Sequence, residues 1–193
     1  MGAIVGIHDP RQAAAGEPLR ARLRASLSPE EPTWTQERGP LALGSAGEVE
    51  RAEADGTLCL FEGRLHNGEE LAWQLGVPAY VSPATLVLRG YEQLGAELWP
   101  LLRGDFVALV WDREAGEGAV VRDQLGGRAL YLHRAGAVVA FATELRHLVE
   151  LLPSRPPPDD VAVAHWLLPS VVPEDRTLFA GIEEVPIQLT SVA

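Results

Sequence analysis

The sequence lacks lysine and has a single cysteine, which excludes lysine-dependent catalysis, internal disulfide bonds and thiolate metal clusters. All sixteen basic residues are arginines, so no mechanism that needs a catalytic lysine can operate within this chain. Cys59 cannot form an internal disulfide bond or a thiolate metal cluster. It lies in an apolar, strand-like stretch at 57–61, where a buried and inert thiol is expected.

Long apolar runs and excess positive charge are also missing. No stretch is long enough to span a bilayer and the N-terminus lacks a signal-peptide pattern, so we expect a cytoplasmic protein with no membrane partner. A formal net charge of −11 argues against nucleic acid as a partner. No metal site is predicted, because metal-ligand spacing is absent among the histidines His8, His66, His133, His147 and His165.

What is present suits a globular α+β domain. A chain of 193 residues with 47% hydrophobic residues can bury a core in one compact domain. Strands are predicted at 1–8, two or three times within 33–54, and at 57–61, 105–111, 119–122, 129–133 and 137–142. Helices are predicted at 19–27, 68–75 and 83–94, in a short segment up to 102, at 144–152 and at 160–168.

Several of these elements have clear end signals. Ser82 followed by Pro83 is typical of a helix start, because the hydroxyl caps the first turn and proline fits there. Gly76 is expected to end the preceding helix. Strand breaks are expected at Gly39 and from 44 to 47, and the tail after residue 168 has no obvious element.

Four segments, in this order and spacing, are distinctive: 104–112, 122–131, 141–145 and 176–182. Together with 4–7 and 61–67 they resemble the N-terminal domain of asparagine synthetase-like proteins, a class II glutamine amidotransferase of the N-terminal-nucleophile type. The resemblance implies an α+β fold, an αββα four-layer sandwich with two antiparallel sheets. It also implies a glutaminase-like domain over 1–186 and a tail over 187–193, with the family's synthetase domain missing.

The family's nucleophile is a cysteine that becomes the N-terminus once the initiator Met is removed. Its own α-amino group, with a pKa of about 7.7–8.0, can serve as the base. The matching position here is Gly2, followed by Ala3, and neither has a nucleophilic side chain. The resemblance therefore implies that no residue of this chain is catalytic.

The family's oxyanion and amino-group site also departs from its pattern. Where the family has Asn-Gly-Glu, this chain has Glu62, Gly63 and Arg64. Glu62 would place negative charge where the oxyanion develops, which opposes catalysis. Arg64 would repel the ammonium group of glutamine, and Gly63 is retained.

Two further positions complete the comparison with the family. A family Asp-Thr-Glu at a helix start is replaced by 82–85, Ser-Pro-Ala-Thr, so the acid that binds the amino group is lost. Arg38 matches the arginine that grips the glutamine carboxylate, or else it is a surface arginine before a turn. The resemblance thus leaves a vestigial pocket of Arg38, Glu62, Gly63 and Arg64, which would no longer bind glutamine.

This combination of departures resembles β-lactam synthetases and lasso-peptide macrolactam cyclases, whose N-terminal domain has no nucleophile. The resemblance implies a noncatalytic module that supports an ATP-dependent synthetase domain or subunit and helps to present a precursor peptide. ATP and magnesium would bind only to that partner.

Two other functions stay open at this point. One is a free-standing binding module that associates with itself, since such sandwich domains are often homo-oligomers. The other is an active amidohydrolase that uses Cys59 or a water molecule activated by Glu62.

Overall fold

A computed structural model of the chain describes residues 2–11, 17–27, 33–168, 175–185 and 190–192. Within these ranges the fold is α+β and contains two antiparallel sheets. The chain divides into two compact units. The first unit comprises 1–2, 47–128 and 187–193, and the second comprises 3–46 and 129–186.

The sheet of the first unit has five strands in the order β11-β7-β6-β5-β4. Its strands are β4 (Glu50–Ala54), β5 (Thr57–Leu65), β6 (Gly104–Asp112), β7 (Glu117–Arg122) and β11 (Thr190–Val192). Helices α2 (Gly68–Leu75) and α3 (Pro83–Leu94) follow β5, and a 3-10 helix (Gly95–Leu101) leads into β6. The long pairing of β5 with β6 runs from Thr57 opposite Asp112 to Leu65 opposite Gly104.

Alternation along β5 and β6 builds the core of this unit. Cys59 and Phe61 face the same hydrophobic cluster as Phe106 of β6, and that cluster includes the buried residues of α2 and α3. The rings of Phe61 and Phe106 stack at 5.3 Å. Leu58 and Leu60, on the opposite face of β5, are also fully buried, which explains why the stretch 58–61 is continuously apolar.

The helix ends form as the sequence predicts. Ser82 caps α3, because its hydroxyl accepts a hydrogen bond from the Thr85 N–H at 3.2 Å and Pro83 occupies the first turn. Gly76 ends α2 in the left-handed conformation, with φ of 67°. Local chemistry thus sets the bounds of the two helices that cover this sheet.

The second unit contains a six-stranded sheet in the order β10-β8-β9-β1-β3-β2. Its strands are β1 (Ala3–His8), β2 (Thr33–Arg38), β3 (Leu41–Ala46), β8 (Tyr131–Ala135), β9 (Val138–Ala142) and β10 (Ile182–Glu184). Its helices are α1 (Glu17–Leu27), α4 (Leu145–Leu151) and α5 (Asp160–Leu167). Buried side chains of α1 and α4 share one cluster with β1, β3 and β9.

Two expectations about the strands were wrong. The tail is not without structure, because β10 pairs with β8 and β11 pairs with β7. Gly44 does not break a strand but lies inside β3, paired with Val5 of β1. In both cases pairing between distant segments outweighs a weak local pattern.

Among the described residues, no helix is both long and apolar enough to cross a bilayer.

Candidate functional site

The end of β5 opens onto a cavity of about 410 Å³ in the first unit. Glu62, Gly63 and Arg64, three of the four residues predicted for the vestigial pocket, line it. The turn before β4, together with the distant residues Gly2 and Arg128, completes the lining. The residues that line the cavity are Gly2, Gly47, Glu48, Val49, Glu50, Phe61, Glu62, Gly63, Arg64 and Arg128.

Gly63 is required by the backbone at this place. Its φ is +119°, a conformation that side chains with a Cβ rarely adopt, and a methyl group would overlap the carbonyl oxygen of Asp105 on β6. Gly63 is also the residue that survives from the family's Asn-Gly-Glu. Its retention is therefore explained by the close approach of β5 and β6, whether or not the pocket is catalytic.

Glu62 is paired with Arg128, which the sequence did not identify. The Arg128 guanidinium donates to Glu62 Oε1 at 2.9 Å. The Glu62 side chain is only 4% exposed and that of Arg128 is 28% exposed. The sequence alone indicates a bare negative charge at Glu62. In the structure the Arg128 guanidinium neutralises that charge, so Glu62 does not present it to the cavity.

The loop before Arg128 is built around the buried carboxylate of Asp123. Asp123 accepts hydrogen bonds from the backbone N–H groups of Leu125 and Gly127, each at 3.0 Å, and of Arg128 at 3.1 Å. The Arg122 guanidinium also donates to the Gly126 carbonyl at 3.0 Å. These contacts hold the backbone of Arg128 in place before its side chain reaches Glu62.

Position 2 has no room for a side chain. Gly2 is buried, and a Cβ there would lie 2.6 Å from the Glu48 carbonyl oxygen and 2.7 Å from Val49 Cγ2. A backbone oxygen cannot move aside as a flexible side chain can. The turn before β4 therefore occupies the space that a nucleophilic side chain at this position would need.

The carboxylate at the start of α3 comes from Glu50, since residues 82–85 contain no acid. The Ala84 N–H donates to Glu50 Oε2 at 3.2 Å. Glu50 begins β4 and pairs with Phe61, so the hairpin of β4 and β5 brings it across the cavity to the helix N-terminus. Negative charge is favourable there because the first-turn N–H groups point towards it.

Of the other predicted positions, Arg64 is exposed and lines the cavity. Arg38 ends β2 in the second unit, and its side chain lies outside the described residues. The prediction for Arg38 therefore stays a prediction.

Cys59 is fully buried in the core, as expected for an inert thiol. Burial raises the pKa of its thiol well above the ordinary value, and the nearby charge of Glu50 raises it further. The neutral, inaccessible thiol disfavours Cys59 as a nucleophile.

Within the described ranges, no group of three or more His, Cys, Asp or Glu residues could hold a metal ion.

Sequence comparison gives the family to which this α+β fold belongs. The family model for the glutamine amidotransferase domain matches residues 46–191, so the chain belongs to that family. It is also 30% identical over 139 residues to proteins of Mycobacterium bovis and Mycobacterium tuberculosis named asparagine synthetase (glutamine-hydrolyzing). These alignments cover 68% of this chain, and the chain spans about a fifth (21%) of the length of those relatives.

A solved structure supports the fold assignment. The glutamine phosphoribosylpyrophosphate amidotransferase of B. subtilis is similar with a TM-score of 0.58 at 15% identity, covering 77% of this chain and 43% of that one. At this identity the likeness concerns the fold alone. The predicted α+β class of N-terminal-nucleophile type, with two antiparallel sheets, is confirmed.

Proposed function

We propose that this domain does not hydrolyse glutamine and serves as the noncatalytic half of an ATP-dependent amide-forming system of the asparagine synthetase type. One observation carries the proposal: the space for a side chain at Gly2 is filled by the Glu48 carbonyl and Val49. The ion pair of Glu62 with Arg128 supports it, because it places a neutralised carboxylate in the cavity where the family has an amide. Glu62, Gly63 and Arg64 are accordingly vestigial in this proposal, and the role of Arg38 stays a prediction.

The experiment compares the wild-type chain with Gly2→Cys in a glutaminase assay that measures released glutamate. Both are expected to stay at the rate of the buffer, because the added side chain cannot be placed without displacing the backbone at Glu48. An enzyme-like rate in the wild type would overturn the proposal. A rate that appears only with Gly2→Cys would leave the wild type noncatalytic, but it would contradict the steric argument at position 2 and the vestigial state of the pocket. A thermal unfolding curve verifies that the variant is folded.

The partner would be a synthetase domain or subunit, which would supply ATP and magnesium. Helix α5 supports such a docking role. Most of its side chains are apolar, but Ala162 is its one buried residue, so its other apolar side chains remain accessible to a partner. At its end Trp166, Leu167 and Leu168 are 70%, 69% and 62% exposed. Adjacent large apolar side chains at such exposure mark an interaction surface.

Co-purification with a separately expressed synthetase domain from the same system tests this role. We expect a complex, and we expect Trp166→Ser with Leu167→Ser to weaken it. A complex that is insensitive to this change contradicts the docking role of α5. If the chain instead forms a homo-oligomer that the same change dissociates, the self-association alternative is correct.

The finer proposal concerns the branch of the family. The segments 63–65 and 123–126 are closer to the nucleophile-less lasso-peptide cyclases and β-lactam synthetases than to glutamine-hydrolysing enzymes. We propose a macrolactam-forming system in which the amine comes from the precursor peptide itself, so that ammonia is not needed. Reconstitution of this chain with its synthetase partner, precursor peptide and ATP is expected to give a product one water lighter by mass spectrometry, with no requirement for glutamine. A dependence on glutamine would refute this branch.

A further inference from the structure

A second cavity, of about 520 Å³, lies in the first unit between the end of β5 and the start of α3. Its apolar part is formed by Leu65, Val81 and Leu86, and its rim includes Glu69 and Glu70 in the first turn of α2. We call this feature the α2 groove.

Two aromatic side chains beside the α2 groove are almost fully exposed. Trp73 is 83% exposed and Tyr80 is 90% exposed. Trp73 lies three and four residues after Glu70 and Glu69, which places all three on one side of α2. Tyr80 lies between Ala79 and Val81, both of which line the groove. Side chains of this size are costly to leave in water, so their exposure next to residues that line the groove favours a contact surface there.

The charge of the α2 groove is negative. Glu69 and Glu70 form no ion pair within the described part of the chain, and no arginine is among the described residues that line the groove. Acidic residues in the first turn also suit the helix dipole. That preference accounts for the two carboxylates, but it does not account for the exposed Trp73 and Tyr80.

We propose that the α2 groove binds a basic segment of a polypeptide. An arginine or lysine head group would lie between the carboxylates of Glu69 and Glu70 and the face of Trp73, where ion pairing and a cation–π contact act together. The aliphatic stem of the same side chain would pack on Leu65 and Leu86. This inference goes beyond the proposed function and does not rest on it, since it concerns a different cavity.

The test measures binding of a short fluorescein-labelled peptide, in which arginine alternates with glycine and serine, by fluorescence anisotropy on the full chain. Glu69→Gln with Glu70→Gln is expected to weaken binding about tenfold, because two ion pairs are lost. Trp73→Ala is expected to weaken it about threefold through loss of the cation–π contact. All three positions are exposed, so these variants are expected to fold.

A matched control separates the groove from the overall acidity of the chain. Glu97→Gln with Glu114→Gln changes the net charge by the same amount at two exposed positions outside the groove. Equal weakening by the control pair would overturn the proposal. So would undiminished binding of the same peptide with citrulline in place of arginine, because citrulline keeps the shape and removes the charge. Equal competition by free arginine, at the same concentration of side chains, would overturn the assignment of a polypeptide in favour of a small cation.

Discussion

Replacing Arg128 by methionine tests whether the ion pair with Glu62 is part of the structure or an incidental contact. Methionine keeps most of the aliphatic length and removes the guanidinium. The Glu62 side chain, only 4% exposed, then loses its cationic partner and a hydrogen bond of 2.9 Å. A hydrogen bond to a charged group contributes about 1.5–3 kcal/mol, and Arg128 is less than one-third exposed. We expect Arg128→Met to lower the free energy of unfolding by about 2 kcal/mol.

The assay is urea unfolding followed by circular dichroism, applied to Arg128→Met, Glu62→Gln and the double variant. The double-mutant cycle isolates the interaction between the two side chains, which is expected to be about 1–2 kcal/mol. The pair of Arg113 with Glu53 is a matched control in the same unit: it is shorter, at 2.6 Å, but its Glu is 47% exposed. Exposed pairs contribute about 0–1 kcal/mol.

The reasoning is refuted if the two cycles give the same coupling energy, or if Arg128→Met costs no more than Arg113→Met. Either result would mean that burial of the Glu62 carboxylate does not strengthen its pairing with Arg128. The control is stringent because the Arg113–Glu53 distance is shorter than the Arg128–Glu62 distance. Distance alone would therefore give the larger coupling energy to the pair of Arg113 with Glu53.

Three further outcomes follow from the described contacts. Cys59 is expected to react with Ellman's reagent only after unfolding, because it is fully buried and its pKa is raised; rapid reaction of the native chain would contradict this. Burial lowers the pKa of His147, so below a pH of about 6.5 the unfolded chain binds more protons than the folded chain and the free energy of unfolding should fall. The fall with decreasing pH should be less steep in His147→Gln. An identical pH dependence of the free energy of unfolding in both proteins would refute this. Ser82→Ala should cost about 1 kcal/mol in urea unfolding by removing the cap of α3, and Ser82→Asp should preserve stability; equal losses would argue against a capping role.

The elements of this fold that could be predicted from the sequence are those whose cause is local. Ser82 caps the helix that it precedes, and Gly76 ends the helix that it follows. The apolar stretch around Cys59 forms a strand that is buried on both faces. By contrast, β10 and β11 are three residues each and depend on pairing with β8 and β7, which no local pattern indicates.

The site was predicted in part for the same reason. Gly63 and its two neighbours were identified because they lie within one recognisable segment. Arg128 is 66 residues from Glu62, and Glu50 is 34 residues from Ala84, so both contacts depend on strand register and loop geometry. The closure of position 2 by Glu48 and Val49 likewise requires the turn before β4 to be placed in space.

The segments that identify the family are also those that support its backbone, which explains how the fold persists without the family's nucleophile. Asp123 accepts hydrogen bonds from three backbone N–H groups in the loop 123–128, and loss of its carboxylate would remove all three. Gly63 is held by the approach of β6, irrespective of any ligand. Neither constraint involves the side chains at positions 62 and 64, although Glu62 has its own ion pair with Arg128 and position 2 is closed by Glu48 and Val49. Selection for structure alone would therefore preserve Asp123 and Gly63, whatever the cavity binds.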